Sequence, residues 1–179
     1  MIQEPIRSTT ILGVRVNKKI ALGGDGQVTL GDMQMKSKAV KVRSFCEGKI
    51  LAGFAGAVAD AMALFEKFEL KLIEVNGNLQ KAVVEMAKEW RTDKVLKDLD
   101  ALLAIMDSRS SYILSGTGDL IEPDDQVISI GSGSGYAVAA SRAFIESGEK
   151  DPEKIVSKAL NITSQLCIYT NDNITIIKT

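Results

Sequence analysis

The chain has 179 residues, 45% of them hydrophobic, which suits one domain of ordinary size with a sizeable core. Lys plus Arg number 22 against 23 for Asp plus Glu, a formal net charge of -1, so no charge excess draws the chain to nucleic acid or to an anionic membrane. It contains no His, which excludes Ser-His-Asp and Cys-His hydrolysis and His-ligated metal sites.

The opening residues MIQEPIRS hold no apolar export segment, and no stretch reaches the ~20 apolar residues that span a bilayer, so a soluble, cytoplasmic protein is expected. TILGVRV (10–16) alternates around β-branched residues, and the polar turn Asn17-Lys18-Lys19 leads into IALGG, a hairpin pattern. A second pair follows at 40–45 and 50–55, joined by Glu47-Gly48-Lys49. The period then becomes helical through Val58, Ala61, Met62, Phe65, Phe68 and Leu72. After Asn76-Gly77-Asn78 it is helical again through Val83, Met86, Ala87 and Trp90. Strand patterns return at 101–107, 111–115 and 127–131, with Gly116-Thr117-Gly118-Asp119 as a turn. A third helix is expected from about Tyr136 to Ser147-Gly148. A fourth should run from an Asp151 cap and Pro152 to about Ile168, with Ile155, Ala159 and Ile162 on one face. ITIIKT closes the chain as a strand.

This order is not the strict alternation of a parallel sheet. An α+β fold in which two helix pairs cover the outer faces of two mainly antiparallel sheets satisfies it. No internal repeat or low-complexity segment is present. Cys46 and Cys167 lie far apart without zinc spacing and read as reduced thiols acting as small core hydrophobes.

With no His, hydrolysis is left to a Ser or Thr activated by an amine. Ser8-Thr9-Thr10 opens the first strand, and a Thr behind a short removable leader can become a new N-terminus holding a hydroxyl and a free amine together. Cleavage between Ser8 and Thr9 exposes an α-amine with a pKa of about 7.7–8.0, partly unprotonated near neutral pH, and a nearby cation lowers it further. Asp25, in GGDGQ, and Lys41 are natural members of such a site. An Asp in that run equally suits a turn, and Lys41 a solvated face, and spacing alone leaves both open.

Taken in order, TTILGVRV, GGDGQVTLGDMQMK, KVR, AGFAGAVADAMALFEKFE, AKEWRTDKVLKDLDALLAI, IGSGSGYAVAA and CIYTN resemble the HslV (ClpQ) family. These are bacterial proteasome-like threonine peptidases that work with an HslU (ClpY) ATPase. The resemblance runs from Thr9 to about Asn171 and implies an N-terminal nucleophile fold, a four-layer αββα sandwich. It implies that residues 1–8 are a leader removed by self-cleavage and that 9–179 form one peptidase domain. By motif match Thr9 is the nucleophile and its freed amine the base, Lys41 lowers the amine pKa, and Asp25 holds that lysine. Ser132 helps position the amine and its water, and Gly56 offers a backbone N–H to the oxyanion. Carbonyls of Ser164, Cys167 and Thr170 match a monovalent cation site, sodium by the resemblance, and no organic cofactor is implied. Implied partners are further copies in a double hexameric ring, the HslU-type ATPase and unfolded protein substrates, with no nucleic acid and no membrane.

The chain departs from the family pattern in its eight residues before Thr9, in Ala57-Val58 where Gly-Thr is usual, and in Ser134 and Ser164 where Gly is usual. A non-catalytic or unprocessed ring subunit acting as a scaffold is the alternative. It would be marked by loss of Thr9, Lys41 or the glycine donor, and all are kept. A true proteasome β subunit shares the chemistry but fits the short length and the WRTDK and CIYTN segments less well. Gly131-Ser132-Gly133-Ser134-Gly135 fails as a dinucleotide fingerprint because Tyr136 stands where glycine is needed. No G-x-x-x-x-G-K-[ST] occurs, so ATP hydrolysis belongs to a partner. Asp124-Asp125 and Asn171-Asp172-Asn173 lack calcium-loop spacing and read as turns.

Overall fold

In the computed structural model, which describes residues 9–56, 58–93 and 101–179, alternation along the strands decides the architecture. The order is β1 (Thr10–Val16), β2 (Lys19–Asp25), β3 (Val28–Leu30), β4 (Met33–Lys36), β5 (Val42–Phe45), β6 (Ile50–Gly56), α1 (Val58–Glu74) and α2 (Leu79–Thr92). It continues with β7 (Ala101–Met106), β8 (Ser111–Ser115), β9 (Leu120–Ile121), β10 (Val127–Gly131), α3 (Ser134–Glu146), α4 (Pro152–Leu166) and β11 (Ile174–Lys178). One antiparallel sheet runs β10-β1-β2-β11 and another β5-β6-β7-β8-β9.

Because side chains alternate faces along a strand, each sheet feeds two cores. From β1 and β2, Ile11, Ile20 and Leu22 meet Leu51, Ala55, Ala104 and Met106 between the sheets. Leu12, Val14 and Ala21 face the other way and pack with Ile155, Val156, Ala159 and Leu160 of α4. Likewise Ala52, Phe54, Leu103 and Ile105 pack outward against Phe65, Phe68, Met86 and Trp90 of α1 and α2. Helices, sheet, sheet, helices: the four layers follow from these three cores, as the α+β sandwich reading expects.

The helix ends also follow their residues. Asn78 caps α2 by accepting from Lys81 N–H at 3.0 Å, and Asp151 caps α4 from Glu153 N–H at 3.0 Å with Pro152 behind it. Three sequence expectations need correction, and one element was not expected. Met62 is exposed, because the inward row of α1 is Leu64, Phe65, Phe68 and Leu72 and Met62 stands off its edge. Ile162 is exposed as well. Thr163 takes the inward place, its hydroxyl donating to the Ala159 carbonyl at 2.8 Å so that no buried polar group goes unpaired. Cys46 is exposed in the β5–β6 turn with φ 52° and is no core residue. Residues 28–36, which carry no clear alternation, form the β3–β4 hairpin as a separate two-stranded sheet. The leader 1–8, Ala57 and Lys94 of WRTDK lie outside the described residues, as do the side chains of Val58 and Ala61.

Candidate active site

β2 ends at Asp25, which is 0% exposed and accepts four hydrogen bonds. Oδ1 accepts Thr10 N–H at 2.8 Å and Lys41 Nζ at 3.1 Å, while Oδ2 accepts Gln27 N–H at 2.9 Å and Asn171 N–H at 3.3 Å. A carboxylate has about four acceptor positions, so this one is fully occupied and oriented by three backbone amides and one ammonium. Neither a free turn residue nor a solvated lysine describes this pair.

Lys41 immediately precedes β5, and its carbonyl accepts Phe54 N–H at 3.1 Å, which ties it to β6. Its side chain is buried, and Nζ donates both to Asp25 and to the Gln27 carbonyl. Burial pushes the ammonium below the ordinary lysine value of 10.5, against the attraction and hydrogen bond of Asp25, which work to raise it. The result is a cation held in a dry setting, where its field on neighbouring groups is strong.

Thr9 precedes β1 and is buried, and among the described residues its Oγ1 has no hydrogen-bond partner. Its carbonyl accepts Ser132 N–H at 2.9 Å. That contact requires glycine at the neighbouring position: Gly131 has φ 93°, and a Cβ there would lie 2.0 Å from the Thr9 carbonyl oxygen and 3.4 Å from Ala55 Cβ. Thr9, the loop after β10 and the end of β6 therefore meet at one place. Ser132 itself is exposed, and its recorded contact with Thr9 is through the backbone and not the hydroxyl. Gly56 closes β6 opposite Ala101 with φ 131°, a backbone that side-chain-bearing residues rarely adopt.

The turn after α4 approaches from the other side. Gly133 N–H donates to Thr10 Oγ1 at 3.0 Å, and Thr10 Oγ1 shares a 2.7 Å hydrogen bond with Thr170 Oγ1. Gln27 Nε2 reaches the Ile168 carbonyl at 2.9 Å. Ser164 lies in the last turn of α4, Cys167 caps the helix by donating to Thr163 O at 2.8 Å, and the Cys167 carbonyl accepts Thr170 N–H at 3.0 Å. The carbonyls of a last helical turn lack partners within the helix. Such oxygens suit a hard cation. Among the described residues no group of three or more His, Cys, Asp or Glu could hold a metal ion.

Sequence reasoning missed Thr10, Gln27, Thr170 as a side-chain partner, and Asn171. Their polar atoms bind backbone and hydroxyls far away in sequence, for which no spacing rule exists. A concavity lined by Arg15, Asp125, Arg142 and Glu146 shares no residue with this site.

Residues 6–178 match the family model described as proteasome subunit. The chain belongs to the proteasome family. It is 55% identical to the ATP-dependent protease subunit HslV of Pseudothermotoga lettingae over 170 residues, 95% of this chain and 97% of that one. The protein of the same name from Thermosipho melanesiensis is 53% identical over the same shares. The crystal structure of eukaryotic HslV from Trypanosoma brucei superposes with a TM-score of 0.88 at 40% identity, covering 94% of this chain and 98% of that one. Within the family the chain is thus of the HslV type, an enzyme of the N-terminal threonine peptidase class with the corresponding layered fold. No helix among the described residues is long and apolar enough to cross a membrane.

Proposed function

We propose that this chain is the peptidase subunit of an ATP-dependent protease in which Thr9, freed at its α-amine by removal of residues 1–8, cleaves peptide bonds of unfolded proteins. The observation that carries this reading is the buried Lys41 ammonium, fixed by Asp25 beside strand β1, which is preceded by a buried Thr9 whose hydroxyl has no partner among the described residues.

In this reading the amine lone pair takes the Thr9 Oγ1 proton as the oxygen attacks the scissile carbonyl carbon. The carbonyl electrons move onto oxygen, where the Gly56 N–H receives the charge, a donor of the kind worth about 10²–10³ in rate. The intermediate collapses by breaking the C–N bond, and the ammonium returns its proton to the leaving amine. The same amine then activates a water to hydrolyse the ester. Lys41 keeps the amine partly unprotonated by disfavouring a second positive charge nearby, and the Ser132 loop holds Thr9 in place. A monovalent cation bound by the carbonyls of Ser164, Cys167 and Thr170 would supply only charge that holds the turn after α4 together.

The names of the relatives and the absence of a phosphate-binding loop support an HslU-type ATPase as the ATP-consuming partner, acting on a cytoplasmic ring of identical subunits. Turnover of a short fluorogenic peptide by wild type and by Thr9→Ala tests the reading. Activity should vanish in the variant, and a variant that keeps it would overturn the assignment.

A further inference from the structure

Asn171 belongs to none of the groups assigned a chemical role above, yet its side-chain oxygen and nitrogen and its backbone N–H are all engaged by the segments that carry Asp25 and Lys41 or lie beside them. Its Oδ1 accepts Gly26 N–H at 3.0 Å and Asn173 N–H at 3.2 Å, its Nδ2 donates to the Ser37 carbonyl at 2.9 Å, and its own N–H donates to Asp25 Oδ2 at 3.3 Å. Gly26 and Ser37 bracket the β3–β4 hairpin. Between Asp25 and Lys41 the chain leaves the main sheet, makes its own two-stranded sheet, and has to come back with Lys41 in register.

A two-stranded hairpin is marginal by itself, so it does not fix where its two ends lie relative to one another. Besides the bond from Lys41 Nζ itself to the Gln27 carbonyl, two contacts close its base. One is the backbone bond from Ala39 N–H to the Gly26 carbonyl at 2.9 Å, and the other is the Asn171 side chain, which bridges Gly26 to Ser37. The approach is close: a Cβ on Gly26 would lie 2.4 Å from the Ser37 carbonyl oxygen. Only a side chain with an acceptor and a donor on one planar group makes both bonds at once, which Asn does and Asp does not.

We propose that Asn171 is a positioning residue for the Thr9 reaction, its amide clamping the base of the β3–β4 hairpin so that Lys41 and Asp25 keep their contact. The inference rests on the roles given to Lys41 and Asp25 under the proposed function. Loosening the clamp lets the ammonium drift from both Asp25 and Thr9. A displacement of about 1 Å in a catalytic constellation costs up to roughly 100-fold in rate. The bonds of Asn171 run to Gly26, Asn173, Ser37 and Asp25, so the expected loss falls on kcat and not on KM.

The test uses the full chain, matured and assembled as purified, turning over a short fluorogenic peptide across a pH series. Asn171→Ala should lower kcat roughly 10- to 100-fold with KM within about twofold, and should move the acid limb of the pH profile up toward the ~7.7–8.0 of an ordinary α-amine. Asn171→Asp, which keeps the acceptor and lacks the donor, should behave the same way. Wild-type kcat in Asn171→Ala, or a reduced kcat with an unmoved limb, overturns the proposal, since a merely structural residue does not move that limb. Loss of the folded circular dichroism spectrum in both variants at the assay temperature also overturns it. Lys41→Ala run alongside separates the two levels. Wild-type turnover there sinks the reading of the site itself, whereas an impaired Lys41→Ala beside a normal Asn171→Ala sinks this inference alone.

Discussion

Lys41 Nζ donates to Asp25 Oδ1 at 3.1 Å, with the two side chains 1% and 0% exposed. A pair this dry gains little net stability from its own attraction, because removing both charges from water offsets much of it. Its retention in the core of a chain with no His is best explained by what the cation does to a neighbouring amine.

Asp25→Asn should be destabilised by roughly 3–5 kcal/mol, the cost of leaving a buried charge without its partner. The geometry sharpens the point, since each Asp25 oxygen accepts two donors and the new amide group faces two N–H groups whichever way it turns. Thermal denaturation should show the loss and peptide turnover should collapse with it. A variant as stable and active as wild type would show that the four bonds do not hold the site.

Gly131 and Gly135, one and three residues from the Ser132 N–H that meets the Thr9 carbonyl, separate strain from general loop sensitivity. Gly131→Ala brings a Cβ to 2.0 Å from the Thr9 carbonyl oxygen at φ 93°, so it should abolish turnover and lower the melting temperature. Gly135→Ala meets no atom within 4 Å and lies in α3, where Ala is the better helix former by about 0.5–1 kcal/mol, so activity and stability should be kept or slightly raised. Equal damage by both substitutions would remove the close approach at Gly131 as the explanation.

Most of the sandwich was legible in the sequence because it rests on strict periodicities. Ile11 and Leu12, or Leu103 and Ala104, sort to opposite cores by alternation alone. Asp151-Pro152 announced its helix through a local cap, whereas Asn76-Gly77-Asn78 read only as a break before α2 and its Asn78 cap appeared in the structure. The β3–β4 hairpin was not legible, since Leu30, Met33 and Met35 are exposed apolar residues without a buried face to set a period. At the site, the segments carrying Thr9, Asp25, Lys41, Ser132 and Gly56 stood out as motifs. Thr10, Gln27 and Asn171 did not, because their bonds span up to 160 residues of sequence and are made to atoms that every residue or many residues possess.

The lowered pKa of Lys41 gives a signed pH dependence. The folded chain binds this proton less tightly than the unfolded chain does at its ordinary 10.5, so unfolding takes up a proton in the window between the two values. Stability from this group is therefore fully present above 10.5 and is lost as pH falls through the folded value. Activity runs the opposite way. A rate that needs the ammonium should fall on the alkaline side at a pH below 10.5, and this limb should be missing from the residual activity of Lys41→Ala. A wild-type alkaline limb at or above 10.5 would show that Lys41 titrates as a solvated lysine.

The central claim is that the Thr9 hydroxyl works beside its own free amine, and the intact mass of the active protease tests it most directly. The account predicts a mass lacking residues 1–8, with Thr9 at the N-terminus. It also predicts that Thr9→Ala retains the full leader, because the hydroxyl that cleaves peptides is the one that removes it. Full peptidase activity from a chain whose mass still includes residues 1–8 would contradict it, since Thr9 would then carry an amide and no base.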